Sequence, residues 1–262
     1  MSPDRARVLR EERGAVLDLC RTLTASEWAG ASDCAGWSVQ DVVAHMGAAF
    51  HGVFTPWLLR VMRTSSIERN NDGDVESRRG WEPARVLREY ESWGGRLLGL
   101  VPLTQRPPLR GVRLPLGDIG RYPMGLLASA FTFDHHVHLR HDIAVPLGRT
   151  LPPPSAEHMA VVTEWLVAGM PQMCGAALSW VDRPLALVLT GPGGGAWTVG
   201  PLVQKGLQVQ EGRSPAAAAT VTGDVYDFPI WGTKRRPWHA FGLAIEGDEE
   251  MATRFLDSLN LV

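Results

Sequence analysis

The sequence has few cysteines and no excess of positive charge, and both shortages exclude whole classes of protein. Its cysteines, Cys20, Cys34 and Cys174, are widely spaced and form no C-x-x-C pair. They therefore predict reduced thiols rather than a disulfide framework or a zinc knuckle. The formal net charge is −2 and the pI is about 6.4. No basic field is available to neutralise phosphates, so we expect a small-molecule partner and no nucleic acid.

Long hydrophobic runs are absent as well. No segment approaches the roughly 18 consecutive apolar residues of a membrane span. The first twenty residues are densely charged where a signal peptide would carry an apolar run. These two observations predict a cytoplasmic protein without a membrane partner, and they carry no information on its oligomeric state.

The chain of 262 residues has a length typical of two domains, and its character changes at the three prolines 152–154. Apolar residues at three- and four-residue spacings before this point predict four helices. These are expected at 4–24, 38–54, 83–100 and 124–145. The polar segment 64–80 is expected to be an exposed connection, and the proline- and glycine-rich segment 106–123 a packed loop without regular structure.

The second part of the sequence alternates helix-like and strand-like segments. Helices are expected at 156–170 and at the C-terminus, and strands within 185–199, 219–224 and 241–248. The run GPGGG at 191–195 lacks the Gly-Lys-Ser/Thr ending of a phosphate loop and predicts a hairpin turn. The fold class is therefore α+β. An antiparallel four-helix bundle occupies 1–153, and a smaller α+β domain occupies 154–262.

The fourth predicted helix carries an unusual density of ionisable residues in FDHHVHLRHDI, residues 133–143. An α-helix turns by 100° per residue, so five of these side chains lie within an arc of roughly 120° around the helix axis. His136 and Arg140 point elsewhere. The five are Asp134, His135, His138, His141 and Asp142. An apolar stripe runs into the same arc, and burial of such groups costs several kcal/mol unless they pair or bind a cation. Two interpretations remain open, a metal site between helices and a wet polar face in a cleft.

A metal site in this position needs a ligand from another helix. Asp134 and His138, four residues apart, can occupy adjacent positions around one ion, but a site needs at least a third protein ligand. The best candidate is His45, whose neighbours Ala48 and Gly52 are small enough to leave room for an ion and a substrate. The alternative is that His45 is a hydrogen-bonded core histidine.

Two segments, WAGASDCAGWSVQDVVAHM at 28–46 and FDHHVHLRHDIAVPLG at 133–148, together resemble the mycothiol-dependent maleylpyruvate isomerase family. The N-terminal half of that family is a DinB-like four-helix bundle. A histidine on its second helix and a Glu-x-x-x-His pair on its fourth hold a divalent metal, usually zinc. The resemblance assigns these roles to His45, Asp134 and His138, with Asp134 standing where many members have glutamate.

The C-terminal segments also resemble this family. ATVTGDVYDFPIWG at 219–232 and LAIEGDEEMATRFLDSL at 243–259 are similar to its small α+β domain, which is related to sterol-carrier-protein folds. Many members continue the first segment as Trp-Gly-Arg and use the arginine for activity. This chain reads WGTKRR at 231–236, so the resemblance points to Arg235 or Arg236 as the substitute.

The function implied by the resemblance is that of a transferase or isomerase using mycothiol as thiol cofactor or co-substrate. A thiol bound to zinc loses its proton at neutral pH and becomes a nucleophile toward an electrophilic small molecule. Asp142 is a candidate hydrogen-bond partner for the ring of His138. His141 and His135 are candidate acid/base groups, with a solvent-facing role as the alternative.

Two other functions are compatible with the same residues. With water in place of the thiol, the metal would serve a hydrolase. Alternatively, the bundle is reused in a non-catalytic small-molecule binding or resistance protein, which would carry no stoichiometric metal. The metal content of the purified protein separates these hypotheses.

Overall fold

The chain divides into two compact units in a computed structural model that describes residues 3–202 and 206–261. The first unit spans Asp4–Pro153 and is mainly helical, and the second begins at Pro154 and combines helices with a five-stranded sheet. The predicted α+β class is confirmed. That the two units are separately folding domains stays a prediction.

The first unit contains four long helices and three short ones. Its helices are α1 (Arg5–Cys20), α2 (Ala25–Ala29), α3 (Val39–Gly52), α4 (Trp57–Val61), α5 (Ile67–Glu76), α6 (Pro83–Thr104) and α7 (Leu127–Val137). Helix α1 ends at Cys20, earlier than the predicted end at residue 24. Helix α6 continues four residues beyond its predicted end at residue 100. Helix α3 packs against α6, and α1 packs against α6 and α7.

A capping box fixes the start of α3, as the sequence predicts. The Ser38 hydroxyl accepts the N–H of Asp41 at 3.2 Å, and the Asp41 carboxylate accepts the N–H of Ser38 at 2.9 Å. These bonds satisfy amides that the helix itself leaves without partners. Because Val42, Met46 and Phe50 are fully buried, the register of α3 is set by the core.

The segment 64–80 lies at the surface as expected, with Val75 its one buried residue, but most of it forms α5 instead of an irregular connection. The Ser66 hydroxyl caps it by accepting the N–H of Arg69, and Val75 is fully buried. Indole N–H groups on other segments donate to its acidic residues, Trp37 to Asp72 at 3.2 Å and Trp57 to Asp74. A single buried apolar residue gives no periodic signal, which explains why the helix was missed.

The fourth predicted helix is not α-helical throughout. It begins with a 3₁₀ turn at Met124–Leu126, continues as α7, and ends in a π-helical turn at His138–Ile143. The N–H of Ala144 donates to the carbonyl of Leu139, five residues back, at 3.0 Å. The wider turn brings His141 beside His136, with ring centroids 5.9 Å apart. The prediction that His141 shares one face of the helix with Asp134 and His138 is therefore wrong.

The expectation that 106–123 lacks regular structure is also wrong in part. The segment contains 3₁₀ turns at Leu109–Gly111 and Gly117–Ile119, and its strands β1 (Arg113–Pro115) and β2 (Arg121–Pro123) form an antiparallel hairpin. Tyr122 in β2 is buried, which anchors the hairpin.

The second unit is built on a mixed sheet with the strand order β5-β4-β3-β6-β7. Its elements are α8 (Ala156–Met173), β3 (Leu185–Thr190), β4 (Gly195–Pro201), β5 (Leu207–Glu211), β6 (Ala219–Asp224), α9 (Phe228–Trp231), β7 (Ala244–Gly247) and α10 (Glu249–Ser258). Strands β3 and β6 are parallel neighbours, and β3 and β4 form the predicted hairpin. Gly191 and Gly193 of its turn have positive φ angles, which glycine adopts without strain. Strand β5 was not predicted.

The contact between Trp57 and Gly52 yields a first prediction. A Cβ at Gly52 would lie 2.1 Å from the Trp57 ring, whereas a Cβ at Gly14 in α1 meets nothing within 4 Å in the described part of the chain. We expect Gly52→Ala to destabilise the protein by about 1–3 kcal/mol through overpacking. The matched Gly14→Ala should stabilise it by roughly 0.5–1 kcal/mol. Urea denaturation measures the free energy of unfolding of the two variants. Equal stability of both would contradict the close contact between Gly52 and the Trp57 ring.

Candidate metal centre

The side chains of three candidate ligands lie close together in the first unit. His45 comes from α3, Asp134 from α7, and His138 opens the π-helical turn. Asp134 Oδ1 lies 3.4 Å from His45 Nε2 and 3.5 Å from His138 Nε2. Both histidines are 7 % exposed, while 30 % of the Asp134 side chain remains accessible. The three atoms thus form a cluster with one side open to solvent.

The spacing of these atoms suits one tetrahedral ion. Nitrogen and oxygen ligands about 2.0–2.1 Å from such an ion lie roughly 3.3–3.4 Å from each other. The measured separations of 3.4 and 3.5 Å are close to that value and longer than an ordinary hydrogen bond. In addition, Asp134 Oδ2 is buried without a hydrogen-bond partner among the described residues. Three donors of this kind fit a divalent metal with an open coordination position.

Electrostatic interactions within the cluster favour a bound cation. Burial alone would raise the pKa of Asp134, but His138 and His45 hold the pKa of this carboxyl well below its ordinary value of 3.8. Burial opposes protonation of His138, yet the Asp134 carboxylate raises the pKa of His138 well above 6.5. A metal ion at His138 Nε2 would take the place of that proton.

Asp142 holds the ring of His138 in the orientation that a ligand needs. Its Oδ2 lies 2.8 Å from His138 Nδ1, and Asp142 is 2 % exposed. When Nδ1–H donates to this carboxylate, the lone pair of Nε2 faces Asp134 and His45, an arrangement typical of metal-bound histidines. The carbonyl of Asp142 also accepts the N–H of Asp33 at 3.0 Å, which ties the segment before α3 to the π-helical turn.

Cys34 contacts the same ring nitrogen of His138 as Asp142 does. Its Sγ is 3.8 Å from His138 Nδ1, so Cys34, His138 and Asp142 form a second group of possible metal ligands. The 2.8 Å contact within this group is a normal hydrogen bond and is short for two ligands of one ion. We therefore assign this group to orienting His138. Cys34 was not predicted to lie near the cluster, although it belongs to the segment 28–46 that also carries His45.

The aromatic surroundings differ from the expected open space. The Trp57 ring covers Gly52, so the room predicted beside this glycine is filled. The Trp37 ring lies 5.3 Å from the ring of His45, measured between centroids. Both indoles are partly exposed, and of the two it is Trp37 that borders the candidate centre, through His45.

The remaining site predictions fall in different environments. His135 is fully buried among aromatic rings, which contradicts its expected position in a cleft. Burial lowers the pKa of its ring. His141 is half-buried beside His136. Arg235 and Arg236 belong to the second unit, where Arg235 donates to the Thr233 hydroxyl at 3.2 Å and Arg236 is exposed. Catalytic roles for His141, Arg235 and Arg236 stay predictions.

Comparisons with known proteins agree on one family. The family model of the mycothiol maleylpyruvate isomerase N-terminal domain matches residues 9–144, a range that contains all three candidate ligands. Two solved structures are similar in fold, the mycothiol-dependent maleylpyruvate isomerase and a histidine-to-alanine mutant of it. Each has a TM-score of 0.59 and 13 % identity over 93 % of this chain and 92 % of the other. No curated protein matches the sequence. Among the described residues, no helix is long and apolar enough to cross a membrane.

Proposed function

Because the chain belongs to the family of the mycothiol maleylpyruvate isomerase N-terminal domain, whose model covers residues 9–144 of 262, we propose a mycothiol-dependent enzyme. The reaction would be an isomerisation or a thiol transfer on a small electrophilic substrate. The metal would be divalent, with zinc as the proposed ion. The observation that carries the proposal is the approach of Asp134 Oδ1 to His45 Nε2 and His138 Nε2 at 3.4 and 3.5 Å.

The roles of the residues follow from their contacts. His45, Asp134 and His138 would hold the ion, which when bound lowers the pKa of a thiol at its open position so that the thiol reacts as a nucleophile. Asp142 keeps His138 in the required tautomer. The accessible side of Asp134 leaves a path for thiol and substrate. Trp37 beside His45 shields part of the site from water.

The test combines the zinc-loaded protein with mycothiol and maleylpyruvate, and then with other unsaturated carbonyl electrophiles. We expect product only when both zinc and mycothiol are present. His239→Ala is the matched control, since His239 is an exposed histidine of the second unit and should leave the rate unchanged. Turnover that needs zinc but not the thiol would replace the proposal with a hydrolase. A purified protein that neither contains nor binds zinc would overturn both enzymatic functions.

A further inference from the structure

His135 is a buried polar residue that the proposed function leaves unused. Its side chain has no solvent exposure, and its ring is enclosed by the rings of Phe50 at 4.7 Å, Tyr90 at 5.6 Å and Phe131 at 6.4 Å between centroids. Its Nδ1 lies 3.4 Å from Asp134 Oδ2, the carboxylate oxygen that does not face His45 and His138. An apolar ring would fill this space equally well, so the choice of histidine needs another explanation.

Several polar atoms in this region lack hydrogen bonds. Asp134 Oδ2, both ring nitrogens of His135 and the Tyr90 hydroxyl are buried without a partner among residues 3–202 and 206–261. Each buried group of this kind costs about 1–3 kcal/mol. His135 Nδ1 and Asp134 Oδ2 are 3.4 Å apart, and a small rotation of the two side chains with a shift of roughly half an ångström would give the distance of 2.7–3.2 Å and the alignment of a normal hydrogen bond. Two of these atoms can therefore satisfy each other with little movement.

We propose that His135 is a positioning residue for Asp134, which it holds by donating Nδ1–H to Oδ2 so that Oδ1 stays directed at His45 and His138. The inference rests on the proposed metal centre. The aromatic enclosure prevents ring rotation, and the low local dielectric strengthens a hydrogen bond to a carboxylate. A carboxylate that is already oriented loses less freedom when it binds an ion, so the metal binds more tightly. Asp142 supports His138 in the same manner from the opposite side of the cluster.

The variants separate ring packing from hydrogen bonding. His135→Phe keeps an aromatic ring and removes the donor, whereas His135→Asn places an amide N–H close to the position of Nδ1. His135→Leu has nearly the shape of His135→Asn without its donor. The Asn and Leu pair thus keeps the inference testable if His135→Phe does not fold. Urea denaturation of the metal-free proteins shows which variants are folded.

The measurement is Co²⁺ binding. Competition with a chelator gives the affinity, and visible absorption reports the environment of the bound ion. We expect His135→Phe and His135→Leu to bind Co²⁺ about 10–100-fold more weakly, as for other residues that support a metal ligand. Their absorption band should shift, and His135→Asn should restore most of the affinity and the wild-type band. Wild-type affinity and an unchanged band in His135→Phe or His135→Leu would overturn the inference. Equal weakening in His135→Asn and His135→Leu would also overturn it.

Failure of the inference is distinguishable from failure of the proposed function. If the wild-type protein binds Co²⁺ and responds to His135 substitution as expected, but shows no mycothiol-dependent turnover, only the proposed reaction fails. If turnover depends on zinc and mycothiol while His135→Phe binds the ion normally, only the inference fails. A wild-type protein that binds no Co²⁺ overturns both.

Discussion

Replacing His138 with alanine is expected to weaken metal binding about 100-fold and to destabilise the fold. Zinc binding by a complete site is worth about 10–16 kcal/mol over about four ligands, so loss of one ligand costs roughly 3 kcal/mol, or about 100-fold in affinity. The same change removes the 2.8 Å hydrogen bond to Asp142, a carboxylate that is 2 % exposed. Loss of a partner by a buried polar group adds about 1–3 kcal/mol of destabilisation. Zinc titration and urea denaturation measure the two effects separately.

His45→Ala distinguishes a ligand role from a structural one. Its Nε2 lies 3.4 Å from Asp134 Oδ1, whose side chain is 30 % exposed, whereas His138 also bonds at 2.8 Å to Asp142, which is 2 % exposed. We therefore expect a comparable loss of zinc affinity, roughly 100-fold, with a smaller loss of stability than in His138→Ala. His239→Ala again provides the histidine control. If His45→Ala binds zinc as tightly as the wild type, the three-ligand assignment is wrong.

Arg78→Met is expected to produce one of the largest losses of stability in the first unit. The guanidinium forms two bonds to Glu89, from Nε to Oε2 at 2.6 Å and from Nη2 to Oε1 at 2.8 Å. His51 Nδ1 lies 2.8 Å from the same carboxylate, whose side chain is only 7 % exposed. Removal of the arginine leaves a buried charge with one partner fewer, which typically costs about 3–5 kcal/mol.

A neighbouring arginine supplies the matched control. Arg79 follows in sequence, but its side chain is 47 % exposed and pairs with Glu76, which is 70 % exposed. Its other contacts are weaker, to the Gly36 carbonyl at 3.2 Å and to Asp41 at 3.7 Å. Arg79→Met should lower the free energy of unfolding by about 1 kcal/mol or less. Urea unfolding of both variants tests the comparison. Similar values for Arg78→Met and Arg79→Met would show that the Glu89 pair contributes little to stability.

The Glu89 network also has a defined pH dependence. Burial alone would raise the pKa of Glu89, but Arg78 and His51 hold the pKa below its ordinary value of 4.5. Since the folded pKa is lowered, the stabilisation is complete above the unfolded pKa and is lost as the pH falls through the folded value. Below pH 4.5 the free energy of unfolding should therefore fall less steeply with decreasing pH in Glu89→Gln than in the wild type.

The start of α3 and the proximity of Asp134 to His138 were predictable because both depend on local patterns. The capping box at Ser38 needs only the spacing from Ser38 to Asp41, and the pairing of Asp134 with His138 needs only one helical turn. His45 was predicted from its position on a neighbouring helix and from the family resemblance. Helix α5 escaped prediction because hydrogen bonds from Trp37 and Trp57, on other segments, hold it in place.

The sequence by itself determined the α+β class, the caps and a set of histidines and carboxylates dense enough to suggest a site. Only the tertiary structure decided which of them face one another. The π-helical turn moved His141 toward His136, and the aromatic core enclosed His135 behind Asp134. The physical reason is that a 100° periodicity describes an undistorted helix, whereas packing against other segments sets the local pitch and the partner of each side chain.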